Sequence, residues 1–148
     1  MVYHYLLHHC NVYDSHRRRE QTMNDTINPL HYQLHPQLQA KDFSTFLPHP
    51  LASAFEYISR HDLKGGVEDL RKAEWWLFEA IQHNRKLAFT PKPKKWKKKC
   101  RKWLTCFRDP EQKILGFILS AGTADNYFDR DVWIRLALHR LDLLISGD

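Results

Sequence analysis

Residues 51–81 read LASAFEYISRHDLKGGVEDLRKAEWWLFEAI, and their periodicity decides the fold. Leu51, Ala54, Phe55 and Ile58 recur at i, i+3, i+4 and i+7, one apolar stripe along a helix. Pro50 stands at the start of that helix, where its missing N–H would find no partner in any case. The stripe stops at Arg60-His61-Asp62, and Gly65-Gly66 supplies a turn that can take positive φ without steric cost. A second helix begins at once. Glu68 and Asp69 fall in its first turn, where carboxylates suit the positive end of the helix dipole. Val67, Leu70, Ala73, Leu77 and Ile81 form its predicted buried stripe, which Trp76 and Ala80 broaden. Trp75 and Trp76 are consecutive, hence about 100° apart around the axis. At least one of them belongs to the core; an edge Trp could stack on a base or on another subunit. The whole stretch predicts a helical hairpin.

The same residues carry a resemblance. Ala54-x-x-Tyr57-Ile58-x-Arg60 followed by Lys64-Gly65-Gly66-x-Glu68-Asp69-Leu70-x-Lys72-Ala73-x-Trp75-Trp76-Leu77 resembles the core signature of a family of small bacteriophage proteins of largely unknown function. A second signature, Asn28-Pro29-x-His31-Tyr32, stands upstream in the family's order. The likeness covers roughly residues 28–85; Ser53 and Glu56 depart from it, where an asparagine and a lysine are usual. One podovirus member is a deoxynucleoside monophosphate kinase without the usual phosphate-binding loop. The resemblance therefore implies a phage accessory protein of nucleotide metabolism, with nucleotide contacts from His31, Tyr32, Gly65, Gly66, Lys72 and Trp75.

Working outward, residues 24–50 hold four prolines, Pro29, Pro36, Pro48 and Pro50, too many for a long helix. This segment is predicted irregular, with one short helical piece near residues 37–46. His31 and His35 are four apart, yet the glutamate of a zinc-hydrolase helix is missing and Pro36 follows directly. Residues 1–22 match nothing downstream and read as a disordered leader. His4, His8, His9, Cys10 and His16 are competent metal ligands, but their spacing fits no defined site. The domain of the resemblance then spans 23–87, and 88–148 completes its core.

After a proline-flanked linker at 84–93 comes KKWKKKCRKWLTCFRD. Trp96, Cys100, Trp103, Leu104 and Phe107 line one face, and Lys94, Lys95, Lys97, Lys98, Lys99, Arg101 and Lys102 surround the rest. This predicts a basic amphipathic helix over 94–107. It can dock its aromatic stripe on the core, bind nucleic acid through phosphate contacts, or rest weakly on a membrane surface. Asp109-Pro110 opens a further helix, Asp109 as its N-cap, rich in buried Ile114, Leu115, Ile118 and Leu119. A last helix runs from about 129 to 145, with Val132, Trp133, Leu136, Leu141, Leu144 and Ile145 as its expected apolar side. Strand-like alternation is absent. The fold class is all-α, a small helical bundle built on the central hairpin.

Charge placement narrows the partner. Eight Lys or Arg and no acid fall between residues 92 and 102; subtracting them from the net +6 leaves −2 for the rest. A phosphate-bearing ligand is drawn to that block. Three cysteines without a C-x-x-C pair argue against a disulfide framework and for a reducing compartment. No apolar run is long enough to span a bilayer, and no signal-peptide layout is present, so host cytoplasm is the expected location.

Two functions compete. In a nucleotide kinase, Arg60 and Lys64 would clamp phosphates beside the Gly65-Gly66 amides, and Glu68 or Asp69 would hold Mg²⁺ against the nucleotide. No G-x-x-x-x-G-K-[ST] loop occurs. Stripped of chemistry, Glu68 and Lys72 are an i,i+4 surface pair, Glu56 and Arg60 another, and Asp69 a helix-start acid. The alternative is a non-enzymatic protein that binds nucleic acid or a host factor through the basic helix. A pyrophosphohydrolase ranks last, because no E-x-x-E pair is present. The apolar hairpin is also consistent with a homo-oligomer.

Overall fold

The computed structural model describes residues 38–147. The leader and the upstream signature, with His31, Tyr32 and His35, lie outside them. Among the described residues all regular structure is helical, as expected. A short α1 (Lys41–Ser44) leads into the hairpin of α2 (His49–Arg60) and α3 (Val67–Gln82). A 3-10 turn at Asn84–Lys86 precedes α4 (Trp96–Leu104), α5 (Glu111–Thr123) and α6 (Tyr127–Ser146). Helices α2 and α3 pack together, as do α5 and α6. Contacts of α2 with α5 and of α3 with α6 close a ring of four helices around a common core. Helix α1 lies on α2, and α4 on α5.

The hairpin matches its sequence pattern closely. Leu51, Ala54, Phe55 and Ile58 are buried, and so are Leu70, Ala73, Leu77 and Ala80. Trp76 and Ile81 pack half-buried on that core. Val67 departs from expectation, at 53% exposed. It is the first residue of α3, and in that first turn Asp69 and Leu70 take the inward positions instead. Helix α5 starts at Glu111 with Pro110 as N-cap and no side-chain cap. Asp109 is therefore one residue too early to cap it, and its carboxylate turns to Lys113, 3.6 Å away.

The larger correction concerns α6. It begins at Tyr127, where Asn126 Oδ1 accepts a hydrogen bond from the Asp129 amide (2.8 Å). Its fully inward face is Arg130, Ile134, Ala137 and Leu141, while Val132 and Leu136 are exposed. Trp133, Leu141, Leu144 and Ile145 do pack on the core as expected, whereas Val132 and Leu136 give way to Ile134 and to an arginine in a core position. Arg130 is 1% exposed. Its Nε donates to Asn84 Oδ1 (2.6 Å), Nη2 to the carbonyls of Asn84 (2.6 Å) and Leu87 (2.9 Å), and Nη1 to that of Ala88 (3.0 Å). Asn84 Nδ2 in turn donates to the Tyr127 carbonyl (2.9 Å), and the guanidinium lies 4.1 Å over the Phe89 ring. No carboxylate among the described residues pairs with it. Neutral carbonyls carry the whole load, so Arg130 fastens the chain leaving α3 to the start of α6.

Truncating this side chain strands buried acceptors. Arg130→Ala is expected to cost about 3–5 kcal/mol in urea unfolding, and Arg130→Lys to recover less than half of that. A loss under about 1 kcal/mol would contradict the role assigned to it.

Candidate functional site

The hairpin turn brings together most of the residues that the sequence singles out. Arg60 ends α2, and its Nε lies 3.1 Å from Asp69 Oδ2 in the first turn of α3. Both glycines serve this pairing, in different ways. A Cβ on Gly65 would come within 2.2 Å of the Asp69 carboxyl carbon, so only glycine lets that carboxylate lie against the turn. Gly66, at φ 56° and ψ −137°, takes a backbone conformation that other residues rarely adopt. Positive φ is thus confined to Gly66, and Gly65 is there for close approach.

Cations crowd the same corner. The Arg60 guanidinium stands 4.6 Å over the Tyr57 ring and Lys72 Nζ 5.6 Å from it. Lys72 Nζ is also 3.6 Å from Glu68 Oε1 and 4.0 Å from Asp69 Oδ1. The Glu68 side chain is 77% exposed and that of Asp69 only 3%. Arg60 and Lys72 flank Asp69 and Lys72 lies nearer still to Glu68, so the two acids are not a bare pair, and Glu68 is the one that solvent reaches. Glu56, expected to pair with Arg60, accepts a hydrogen bond from Ser44 Oγ (2.8 Å). Lys64 is exposed at the turn. One helical turn beyond Lys72, Trp75 is exposed and meets Trp76 edge-on (4.8 Å), while Trp76 meets His49 (4.9 Å). Of the two tryptophans, Trp76 packs on the core and Trp75 remains at its edge.

Helix α4 is the second candidate. Its inward ridge is Trp96, Cys100 and Trp103. The Trp103 ring lies 5.1 Å from both Phe43 and Phe55 and 4.6 Å from Phe107. The indole N–H groups of Trp96 and Trp103 are buried with no hydrogen-bond partner among the described residues, a cost that the surrounding packing must exceed. On the outer side Lys94, Lys95, Lys97, Lys98, Lys99, Arg101 and Lys102 are all exposed. None of them pairs with a carboxylate among the described residues.

This helix is shorter than the expected 94–107, and its start explains why. Lys95 is the N-cap in a left-handed conformation (φ 67°, ψ 11°), with no side-chain cap and no acid in the first turn. Lysines at the positive end of a helix dipole are unfavourable, and nine residues are too few to hold a helix alone. At its start local preference opposes α4, although its lysines and arginines favour helix and Arg101 and Lys102 suit its last turn. Burial of its apolar ridge is what forms it.

Comparisons with protein-family models, curated proteins and solved structures return no match to this chain. What bears on its function is the chemistry of these two cationic surfaces.

Burial also sets the character of Cys100. Its thiol pKa is pushed up to about 12, chiefly by desolvation, despite the nearby charges of Arg101 and Lys92. The folded value lies above the ordinary 9.0, so the neutral thiol's contribution to stability is intact below pH 9 and is lost as pH climbs toward 12. At pH 8 iodoacetamide should modify Cys100 only after denaturation, read by mass spectrometry of the tryptic peptides. Modification in native buffer at the rate of an open thiol would contradict its burial.

Proposed function

We propose that this chain is a phosphate-polymer-binding accessory protein, acting on nucleic acid through the exposed face of α4, with the host cytoplasm as its setting. One observation carries the reading: seven exposed cations, Lys94, Lys95, Lys97, Lys98, Lys99, Arg101 and Lys102, none paired with a carboxylate among the described residues, cover one short helix and its lead-in. Nine helical residues run about 13 Å, a length over which duplex DNA carries about eight phosphate charges. Lysines contact phosphate as point charges, so the expected binding is insensitive to sequence. Setting these seven against the net +6 leaves only −1 for the rest of the chain, so the attraction is focused on α4.

The strained Lys95 supports the same reading. A left-handed conformation costs a non-glycine residue about 1–2 kcal/mol, and glycine would relieve it. A lysine kept where glycine folds better fits a charge used for binding.

If about four of these cations reach phosphates, log affinity for a duplex should fall with log salt at a slope of about −4. The triple substitution K97Q/K98Q/K99Q should make the slope shallower by about 2–3 and weaken binding at least tenfold at low salt. Lys95→Gly should stabilise the fold by about 1 kcal/mol yet bind DNA more weakly. Binding that ignores both salt and these substitutions would overturn the proposal.

A nucleotide-binding reading has its own observation, the convergence of Arg60 and Lys72 on Tyr57 beside the Gly65-Gly66 turn. In it Arg60, Lys64 and Lys72 receive the phosphate of a deoxynucleoside monophosphate, and the exposed Trp75 stacks its base. Glu68 is then the one acid there open to Mg²⁺. The exposed Trp75 and Phe78 also suit the homo-oligomer contact expected of the hairpin. A thermal upshift by a monophosphate, absent in Lys64→Gln, would establish this second site; no upshift at millimolar nucleotide would dismiss it.

A further inference from the structure

The corner where α2 meets the start of α5 holds a group that neither functional reading uses. His61 follows the last residue of α2 and is 9% exposed. Its Nδ1 lies 3.4 Å from Asp62 Oδ1, and its Nε2 lies 3.4 Å from Oε1 of Glu111, the first residue of α5. Nε2 is buried, and its 3.4 Å approach to the Glu111 carboxylate lacks the alignment of a hydrogen bond, so among the described residues it has no hydrogen-bond partner. The three side chains can each offer a ligand atom within 4.8 Å of the other two. Both helices are anchored here, because Ile58 and Ile114, one turn inward on each, are fully buried. Asp62, with its side chain 81% exposed, is free to swing.

We propose that His61, Asp62 and Glu111 form a binding site for a transition-metal dication, Zn²⁺ being the best fit. Zinc holds nitrogen and carboxylate oxygen at about 2.0–2.1 Å in a tetrahedron, which puts neighbouring ligand atoms about 3.3 Å apart. The His61 Nε2–Glu111 Oε1 separation of 3.4 Å is already that edge. A dication at Nε2 would give that nitrogen a partner and neutralise Glu111, and Asp62, whose Oδ1 faces Nδ1 in this structure, would complete the ligand set by turning toward it. An imidazole ligand disfavours Mg²⁺ and Ca²⁺, which take oxygen donors. Three protein ligands leave a fourth position for water.

The test is Zn²⁺ titration of the metal-free full chain in competition with a chromophoric chelator, comparing wild type with Glu111→Gln and Asp62→Asn. Because the leader carries His4, His8, His9, Cys10 and His16, the quantity read is the difference between chains. Wild type should bind one equivalent more than either variant, or bind that equivalent at least tenfold more tightly. Asp62 is exposed, so its variant should fold; circular dichroism of both variants confirms this. Equal stoichiometry and affinity in all three chains would overturn the site.

Discussion

A single buried cation, Arg130, with no counter-ion among the described residues, constrains the architecture more than any other contact. Arg130 is satisfied by the side chain of Asn84 and by three main-chain carbonyls, all on the segment leaving α3. Without it, the carbonyl oxygens of Asn84 and Leu87 that it caps on the inner side of that segment would lose a charged donor. The guanidinium's planar fork supplies several donors from one point, which lysine cannot do. Fastening residues 84–88 to α6 sets the rotation of α6, and with it the side that faces α3 and α5. It also fixes where the chain sets out toward α4.

Helix α4 shows the opposite logic. Here tertiary packing overrides local preference. An uncapped start, a left-handed lysine and first-turn cations all disfavour the helix, and the ridge of Trp96, Cys100 and Trp103 against Phe43 and Phe55 compensates. Such conflict between local rule and global fold is expected where a surface has a task besides stability. The hairpin turn is less conflicted. Gly65, Gly66, Arg60 and Asp69 fit one another, which explains their spacing structurally even if no ligand ever binds there.

The sequence made the hairpin legible because its apolar residues repeat at the helical period on both sides of a glycine turn. The aromatic ridge of α4 was legible for the same reason. The setting of α6 was not: periodicity counts an arginine as solvent-facing, and only the backbone acceptors around Asn84 make burial of Arg130 tolerable. The pairing of Arg60 with Asp69 was equally hidden, since helix-surface rules look three or four residues along and this contact crosses a turn. No local pattern could bring Glu111 to His61, because they meet through the packing of α2 on α5. The residues of the upstream signature, His31 and Tyr32, lie outside the described part of the chain.

The central claim, that α4 is the surface that meets phosphate, is tested most directly by lysine-acetylation footprinting of the full chain with and without duplex DNA. The account predicts protection of Lys94, Lys95, Lys97, Lys98, Lys99 and Lys102, while Lys64 and Lys72 react as before. Protection at Lys64 and Lys72 with the α4 lysines still reactive would contradict it and move the phosphate site to the hairpin turn.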